Sequence, residues 1–353
     1  MTHLVTGGCG FIGSALVRRL VLREARRVVT LDALTYAATE EALAAVTPNP
    51  LHRLIVGDIA EPAVVRDALA AAKPTAVVHL AAESHVDRSI DGPGAFFRTN
   101  LLGTYVLLEE TLRYWRSLDG TARGQFRFLH VSTDEVFGSL GLEGAFTEDT
   151  PYDPRSPYSA SKAGADHLVR AWHHTYGLPT LVTNCSNNYG PFQFPEKLIP
   201  LTILRCLAGQ PVPVYGTGDN VRDWLFVEDH VEALIRVLDR GAVGRSYNLG
   251  GRAERRNLDV VRSICDLVDA ELADASRAPS RDLISFVPDR PGHDFRYAMN
   301  IERVESELGW RPRESFEGGL SKTVRWFLAN GEWCRRIAAH QYDGRRLGTT
   351  GAT

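Results

Sequence analysis

Lysine is almost missing. Only Lys73, Lys162, Lys197 and Lys322 occur among 40 basic residues in a chain of 353; the rest are arginine. A lysine therefore falls on any given position by chance about once in ninety, 4 in 353. Cysteine is scarce too. Cys9, Cys185, Cys206, Cys265 and Cys334 are odd in number, widely spread and free of any CxxC pair. That argues against a disulfide framework and leaves reduced packing residues of a cytoplasmic protein as the expectation. No apolar run approaches the roughly 18 residues of a membrane span. A strand-like run starts within a few residues of Met1, so no signal peptide is expected. A net charge of −3 gives no electrostatic basis for binding nucleic acid or an anionic membrane. The remaining composition, 44% hydrophobic and 24% charged, is that of an ordinary soluble protein long enough for a large core and two lobes.

The first informative pattern is at the N-terminus. His3-Leu4-Val5-Thr6 reads as a buried strand, and Ile12, Leu16, Leu20 and Val21 follow with helical spacing. Between them Gly7, Gly10 and Gly13 have GxxGxxG spacing. A glycine turn between strand and helix lets backbone N–H groups and a helix N-terminus face a pyrophosphate. Val28-Val29-Thr30-Leu31 reads as the next strand and ends in Asp32, about 20 residues after the turn, where a carboxylate binds adenosine ribose hydroxyls. An acid there repels a 2′-phosphate, so NAD is expected over NADP. The alternation continues. Strands 53–56, 76–80 and 127–131 lead into Asp58-Ile59, Leu80-Ala81-Ala82 and Ser132-Thr133. The pattern predicts a doubly wound, Rossmann-like parallel sheet with ligands at the strand C-ends.

The second pattern carries the chemistry. Thr133, Asp134 and Glu135 put a hydroxyl and two carboxylates where a strand ends, and Tyr158 and Lys162 share one face of a predicted helix. A phenol of ordinary pKa near 10 is a poor base at pH 7, and a nearby ammonium favours the phenolate. Tyr158 and Lys162 therefore suit removal of a hydroxyl proton during hydride transfer. Two further carboxylates exceed what an alcohol dehydrogenase needs and point to an oxidation followed by an elimination.

With these motifs the chain resembles the extended short-chain dehydrogenase/reductases, and among them the 4,6-dehydratases that act on dTDP-glucose. The likeness extends to Asp32-Ala33-Leu34-Thr35-Tyr36, to 81–89, to 132–138 and 156–162, and to Asn187-Asn188-Tyr189-Gly190-Pro191. It continues through 194–200, Arg222-Asp223-Trp224 and 289–294. The resemblance implies oxidation at C4 by tightly bound, recycled NAD, loss of water across C5–C6, and hydride return to C6. Glu135 is then the base at C5, Asp134 the acid at the C6 hydroxyl, and Thr133 a hydrogen-bond partner of the C4 oxygen that helps lower the Tyr158 pKa. Cofactor contacts are implied for Phe11, Ile12, Leu34, Thr35, Asp58 and Ile59, and for Leu80, Ala81, Ala82, Ser84, Thr99 and Asn188, with Lys162 on the nicotinamide ribose. Substrate contacts are implied for Ser84, Asn187, Glu196, Lys197, Leu198, Pro213 and Tyr215. Arg222 is expected as a diphosphate clamp, or else a surface salt bridge. Asn257 is a phosphate or sugar contact, or else a helix N-cap. Arg290, His293 and Tyr297 are expected to complete the pocket. Cys9 departs from the smaller residue usual in the turn.

The expected division is a dinucleotide-binding lobe at 1–188, rejoined by a strand near 244–250. A smaller, mostly helical substrate lobe follows at 189–335, and then a flexible tail at 340–353. A homodimer is expected through a helix carrying Leu101, Val106, Leu107 and Leu108 beside the Tyr158 helix. His79, His130 and His173-His174 lack ligand spacing, so no metal is expected. The rival readings are a 4,6-dehydratase for another nucleotide, a nucleotide-sugar 4-epimerase, and an NAD-binding sensor or scaffold. An epimerase has no use for an acid and base across C5–C6. A sensor does not need Tyr158, Lys162, Asp134 and Glu135 together.

Overall fold

The computed structural model describes residues 1–340, 347 and 348. Seven strands form a wholly parallel sheet: β1 (Thr2–Thr6), β2 (Arg27–Asp32), β3 (His52–Val56), β4 (Ala76–His79), β5 (Arg127–Thr133), β6 (Thr180–Cys185) and, after three strands elsewhere, β10 (Ser246–Leu249). Their order is β10-β6-β5-β4-β1-β2-β3, the doubly wound arrangement whose chain reversal beside β1 opens a crevice at the strand C-ends. β4 and β6 are buried at every residue, as expected of parallel strands covered by helices on both faces. The expected strand near 244–250 rejoins the sheet, pairing Ser246 with Val182 and Leu249 with Cys185.

Local chemistry sets the helix that carries Tyr158. Pro157 occupies its first turn, and Ser156 and Ser159 form a reciprocal capping box at 3.0 Å in each direction. The helix runs Pro157–Tyr176 and stops at Gly177, whose φ of 73° is left-handed. β5 and β6 lie in register with Thr133 beside Cys185, and Lys162 of this helix reaches the Val131 carbonyl near the end of β5.

Beyond residue 186 a second region adds a three-stranded sheet, β11 (Glu254–Arg256), β9 (Val221–Phe226) and β7 (Asn187–Tyr189). A two-stranded sheet, β12 (Ile284–Val287) with β8 (Val212–Tyr215), lies beside it. Helices Leu198–Ala208, Asn257–Leu272 and Phe316–Ala329 pack these around a core holding Ile203, Ile264, Val324 and Phe327.

Two expectations change here. Val106, Leu107 and Leu108 do not face outward: they are 6%, 0% and 0% exposed, within a core shared with Val169 and Trp172. Consecutive helical residues point about 100° apart, so one outer face cannot carry all three. Phe97, Leu102 and Tyr105 are the exposed apolar residues of this stretch, where residues 97–103 form a π-helical segment. Asn257 is no N-cap: it is the first residue of the Asn257–Leu272 helix, the cap position falls on Arg256, and no side chain caps it. Most of the tail, expected to be flexible, lies outside the described residues. The Gly348 N–H donates to Asp91 Oδ2 at 2.7 Å.

Candidate active site

The glycine turn is sterically obligatory at two positions. Gly7 has φ +70°, and a Cβ there would lie 2.5 Å from the Ala81 nitrogen; one on Gly13 would lie 2.0 Å from the Gly7 carbonyl oxygen. The Phe11–Leu22 helix begins directly after Gly10 and has no acidic residue in its first turn, so its free N–H groups and positive dipole end stay available to an anion. Asp32 is braced behind the turn. Its Oδ2 accepts from the Cys9 N–H at 2.8 Å and its Oδ1 from the Leu34 N–H at 2.9 Å. Burial raises its pKa against those two bonds. The Cys9 side chain is buried.

One cavity is lined by every residue expected at the cofactor except Leu34, whose contribution is the backbone bond to Asp32. It also takes in Ser84, Thr133, Asn187, Glu196 and Lys197 from the expected substrate set. Glu83, Ser132 and Phe194, from segments the sequence singled out, line it as well, and so do Cys185, Ser186 and Gln193, which were not anticipated.

The catalytic candidates meet at one end of this cavity. Thr133 closes β5 and caps the short turn Asp134–Phe137 by accepting from the Glu135 N–H at 3.3 Å. Asp134 is buried, with Oδ2 unpartnered. Burial first, then the Glu135 charge, holds its pKa well above the carboxylate range. Burial raises Glu135 as well, but Arg290, Lys197 and Arg222 oppose it. Adjacent carboxyls thus sit in different environments: burial and the Glu135 charge raise Asp134, while nearby cations oppose the rise at Glu135, a contrast of the kind an acid and a base need.

Tyr158 and Lys162 share the expected helix face, but their coupling differs from expectation. Burial, and next the Glu135 carboxylate, push the phenol upward. Lys162 Nζ donates to the Val131 carbonyl at 2.9 Å, and burial lowers its pKa while Asp166 raises it. Desolvation therefore outweighs ammonium stabilisation of the phenolate in the protein by itself.

Asp166 was missed, although it continues the i, i+4 series 158, 162, 166. It is fully buried. Its Oδ2 accepts from Ser132 Oγ at 2.9 Å, Tyr152 OH at 2.8 Å and Asn184 Nδ2 at 3.2 Å. Asn184 Nδ2 also lies 3.1 Å from the Thr133 carbonyl. Burial opposes the Asp166 charge, yet hydrogen bonding and charge from His130 and Lys162 leave its pKa below the ordinary value. This network ties the end of β5 to the helix bearing Tyr158 and Lys162.

The remaining substrate candidates lie outside the cavity lining. Arg222 is neither a surface salt bridge nor a free clamp. It is 5% exposed, donates to the Val221, Phe295 and Asp294 carbonyls, and lies 4.1 Å over the Tyr297 ring. Tyr297 OH donates to Asp294 Oδ2 at 2.6 Å. Arg290 pairs with Asp87 at 3.1 Å and keeps a buried, unpartnered Nε. Tyr215 OH donates to the other Asp87 oxygen at 2.9 Å, an organising role for Asp87 that the sequence did not reveal. His293 pairs with Asp289 at 2.6 Å, and burial lowers its pKa to about 4, so at pH 7 it brings no positive charge. Pro213 pairs with Ser285 in the small sheet. Leu198 starts the helix after Lys197. Asn257 Oδ1 is buried without a partner. His79 bridges the Thr6 and Thr104 hydroxyls at 2.8 and 2.9 Å, and among the described residues no three ligating side chains cluster for a metal.

Comparison with known proteins adds to this geometry. The family model described as GDP-mannose 4,6 dehydratase matches residues 4–323. A dTDP-glucose 4,6-dehydratase of Xanthomonas campestris pv. campestris (strain B100) is 55% identical over 349 residues, covering 99% of each chain. The structure of DesIV, a dTDP-glucose 4,6-dehydratase of Streptomyces venezuelae with NAD and a second ligand bound, superposes with a TM-score of 0.87 at 42% identity, over 96% of this chain and 100% of that one. An NAD complex of the UDP-glucose 4-epimerase of Thermus thermophilus gives 0.81 at 29% identity, over 94% and 100%.

Proposed function

The chain belongs to the GDP-mannose 4,6-dehydratase family, and from that membership together with the site we infer that it converts dTDP-glucose to dTDP-4-keto-6-deoxyglucose with NAD. The observation that carries the reading is the differently placed Asp134 and Glu135 pair opening into the same cavity as Tyr158, Lys162 and the glycine turn. The residues present fit NAD. The turn has no room for a Cβ at Gly7 or Gly13, the adjoining helix start is free of acidic side chains, and the braced Asp32 retains acceptor capacity for a ribose diol.

NAD supplies the acceptor for the C4 hydride and, later, the hydride donor to C6. The chain's side chains handle the protons. Tyr158 takes the proton of the C4 hydroxyl as the phenolate, with Thr133 hydrogen-bonded to the same oxygen and the Lys162 charge favouring that form once the cavity is filled. Oxidation at C4 acidifies the C5 proton, because its loss gives an enolate. Glu135 takes that proton. Asp134, whose pKa burial raises, gives its proton to the departing C6 hydroxyl, which leaves as water, and Glu135 returns its proton to C5 as C6 accepts hydride. Lys197 and Arg290 bring positive charge toward the diphosphate, and Arg222 holds the 294–297 segment behind them. The two-lobe division at 188/189, a homodimer and a cytoplasmic location belong to the same proposal. Five buried free cysteines are consistent with a reducing compartment, and no described helix is long and apolar enough to cross a membrane. Phe97, Leu102 and Tyr105 replace the buried Val106, Leu107 and Leu108 as the proposed subunit contact.

The test is product analysis with dTDP-, UDP-, GDP- and CDP-glucose and no added cofactor. Turnover of dTDP-glucose to the 4-keto-6-deoxy sugar without net reduced nicotinamide is expected. A C4 epimer as sole product, or a stoichiometric requirement for NAD, would overturn the reading. The likeness to 4-epimerases gives that alternative a basis, but it leaves Asp134 and Glu135 without a task.

A further inference from the structure

We propose that Tyr36, Arg88 and Glu196 form a clasp that retains the dinucleotide in its cavity, and that the Glu196 carboxylate acts there and not on the sugar. This rests on the reading that the cavity holds NAD. Three segments meet at this point: the loop after β2, the segment after β4, and the segment leading into the Leu198–Ala208 helix. Each contributes to the cavity wall, through Thr35, Ser84 and Phe194 among others.

Both Glu196 oxygens are committed to the other two segments. Oε1 accepts from Tyr36 OH at 3.1 Å and Oε2 from Arg88 Nε at 2.7 Å, with the Glu196 side chain 1% exposed. The Arg88 guanidinium lies 3.8 Å over the Tyr36 ring, and that ring meets Phe194 edge-on at 5.5 Å. Backbone carbonyls add two more ties. His85 Nε2 is 3.3 Å from the Glu196 carbonyl oxygen, and Lys197 Nζ donates to the Ser84 carbonyl at 2.6 Å. These contacts join the segment ahead of the Leu198–Ala208 helix to two loops of the parallel-sheet region. They therefore stitch together three segments of the cavity wall.

Opening the clasp separates a charge-assisted bond and leaves a nearly buried carboxylate without its cation, which is costly. A closed clasp suits the reaction, because the hydride taken from C4 is returned to C6. The same dinucleotide serves every turnover, so nothing in the cycle requires its release.

The experiment follows exchange of bound NAD for deuterium-labelled NAD in the purified holoprotein. The nucleotide released on denaturation is analysed by mass spectrometry, with thermal unfolding recorded alongside. Arg88→Gln and Glu196→Gln are expected to speed exchange by roughly tenfold or more, and Tyr36→Phe by several-fold, in proportion to the bonds removed. Tyr36→Phe deletes one hydroxyl and keeps the ring, so it remains informative if a charge variant does not fold. It should leave dTDP affinity unchanged. Wild-type exchange rates in all three variants, with Glu196→Gln raising only the KM for dTDP-glucose, would overturn the clasp and return Glu196 to the sugar. If the wild-type protein released no dinucleotide at all, the reading of the cavity itself would fail.

Discussion

Replacing Glu135 by glutamine should stop the reaction halfway. The change keeps the side chain's size and removes its ability to take the C5 proton. Arg290, Lys197 and Arg222 oppose the desolvation that raises the Glu135 pKa, which suits the role of base proposed for it. A positioned general base contributes about 10²–10⁴-fold, or about 2.7–5.4 kcal/mol at about 1.36 kcal/mol per decade. Oxidation at C4 uses Tyr158 and should survive. In a single turnover with dTDP-glucose, Glu135→Gln should accumulate reduced-nicotinamide absorbance and the 4-keto sugar. Deuterium from solvent should enter C5 at least about a hundredfold more slowly than in wild type. Two companions bracket this outcome. Tyr158→Phe should give little absorbance, because the first proton transfer fails. Asp134→Asn should exchange C5 with solvent while losing the C6 hydroxyl slowly. The pH dependence has a definite sign. The Glu135 pKa is raised above its ordinary 4.5, so wild-type elimination should fall off on the acid side at a higher pH than an ordinary glutamate gives, and Glu135→Gln should lose that limb. Wild-type deuterium incorporation and water loss in Glu135→Gln would refute its assignment as the base.

Asp166→Asn should weaken the support of Lys162. Asp166 raises the Lys162 pKa against burial, so its loss should move the alkaline limb of C4 oxidation to lower pH; an unmoved limb in the pH–rate profile would leave Asp166 a packing residue. The folded Asp166 pKa lies below its ordinary 3.8, so its charge stabilises the fold above about that pH and the effect fades as pH falls through the folded value; acid-unfolding curves of wild type and Asp166→Asn should converge only below it. Arg222→Ala removes the donors to the Val221, Asp294 and Phe295 carbonyls and should lower thermal stability with NAD occupancy largely kept; an unchanged melting temperature would show that these bonds do not hold the 294–297 segment.

Some of the protein was fixed by the chain itself, because the constraint is local. The glycine turn is such a case: the backbone of Ala81 and Gly7 leaves no space for a Cβ, so residue type alone announces the close approach. Helical period put Tyr158 and Lys162 on one face, and adjacency put Asp134 beside Glu135. Strand and helix alternation was enough to anticipate the parallel sheet, including the late strand at Ser246–Leu249. What the tertiary structure decided are contacts between distant segments. Asp166 gathers Ser132, Tyr152 and Asn184 from three separate stretches. Arg222 looked like a free cation in the sequence and is spent on carbonyls some seventy residues away. Val106, Leu107 and Leu108 read as a subunit face until the chain's own core claimed them. The contrast between the two adjacent carboxyls follows from the same cause. Burial and cation placement set their pKa values, and both depend on how segments 134–135, 197, 222 and 290 close around one another.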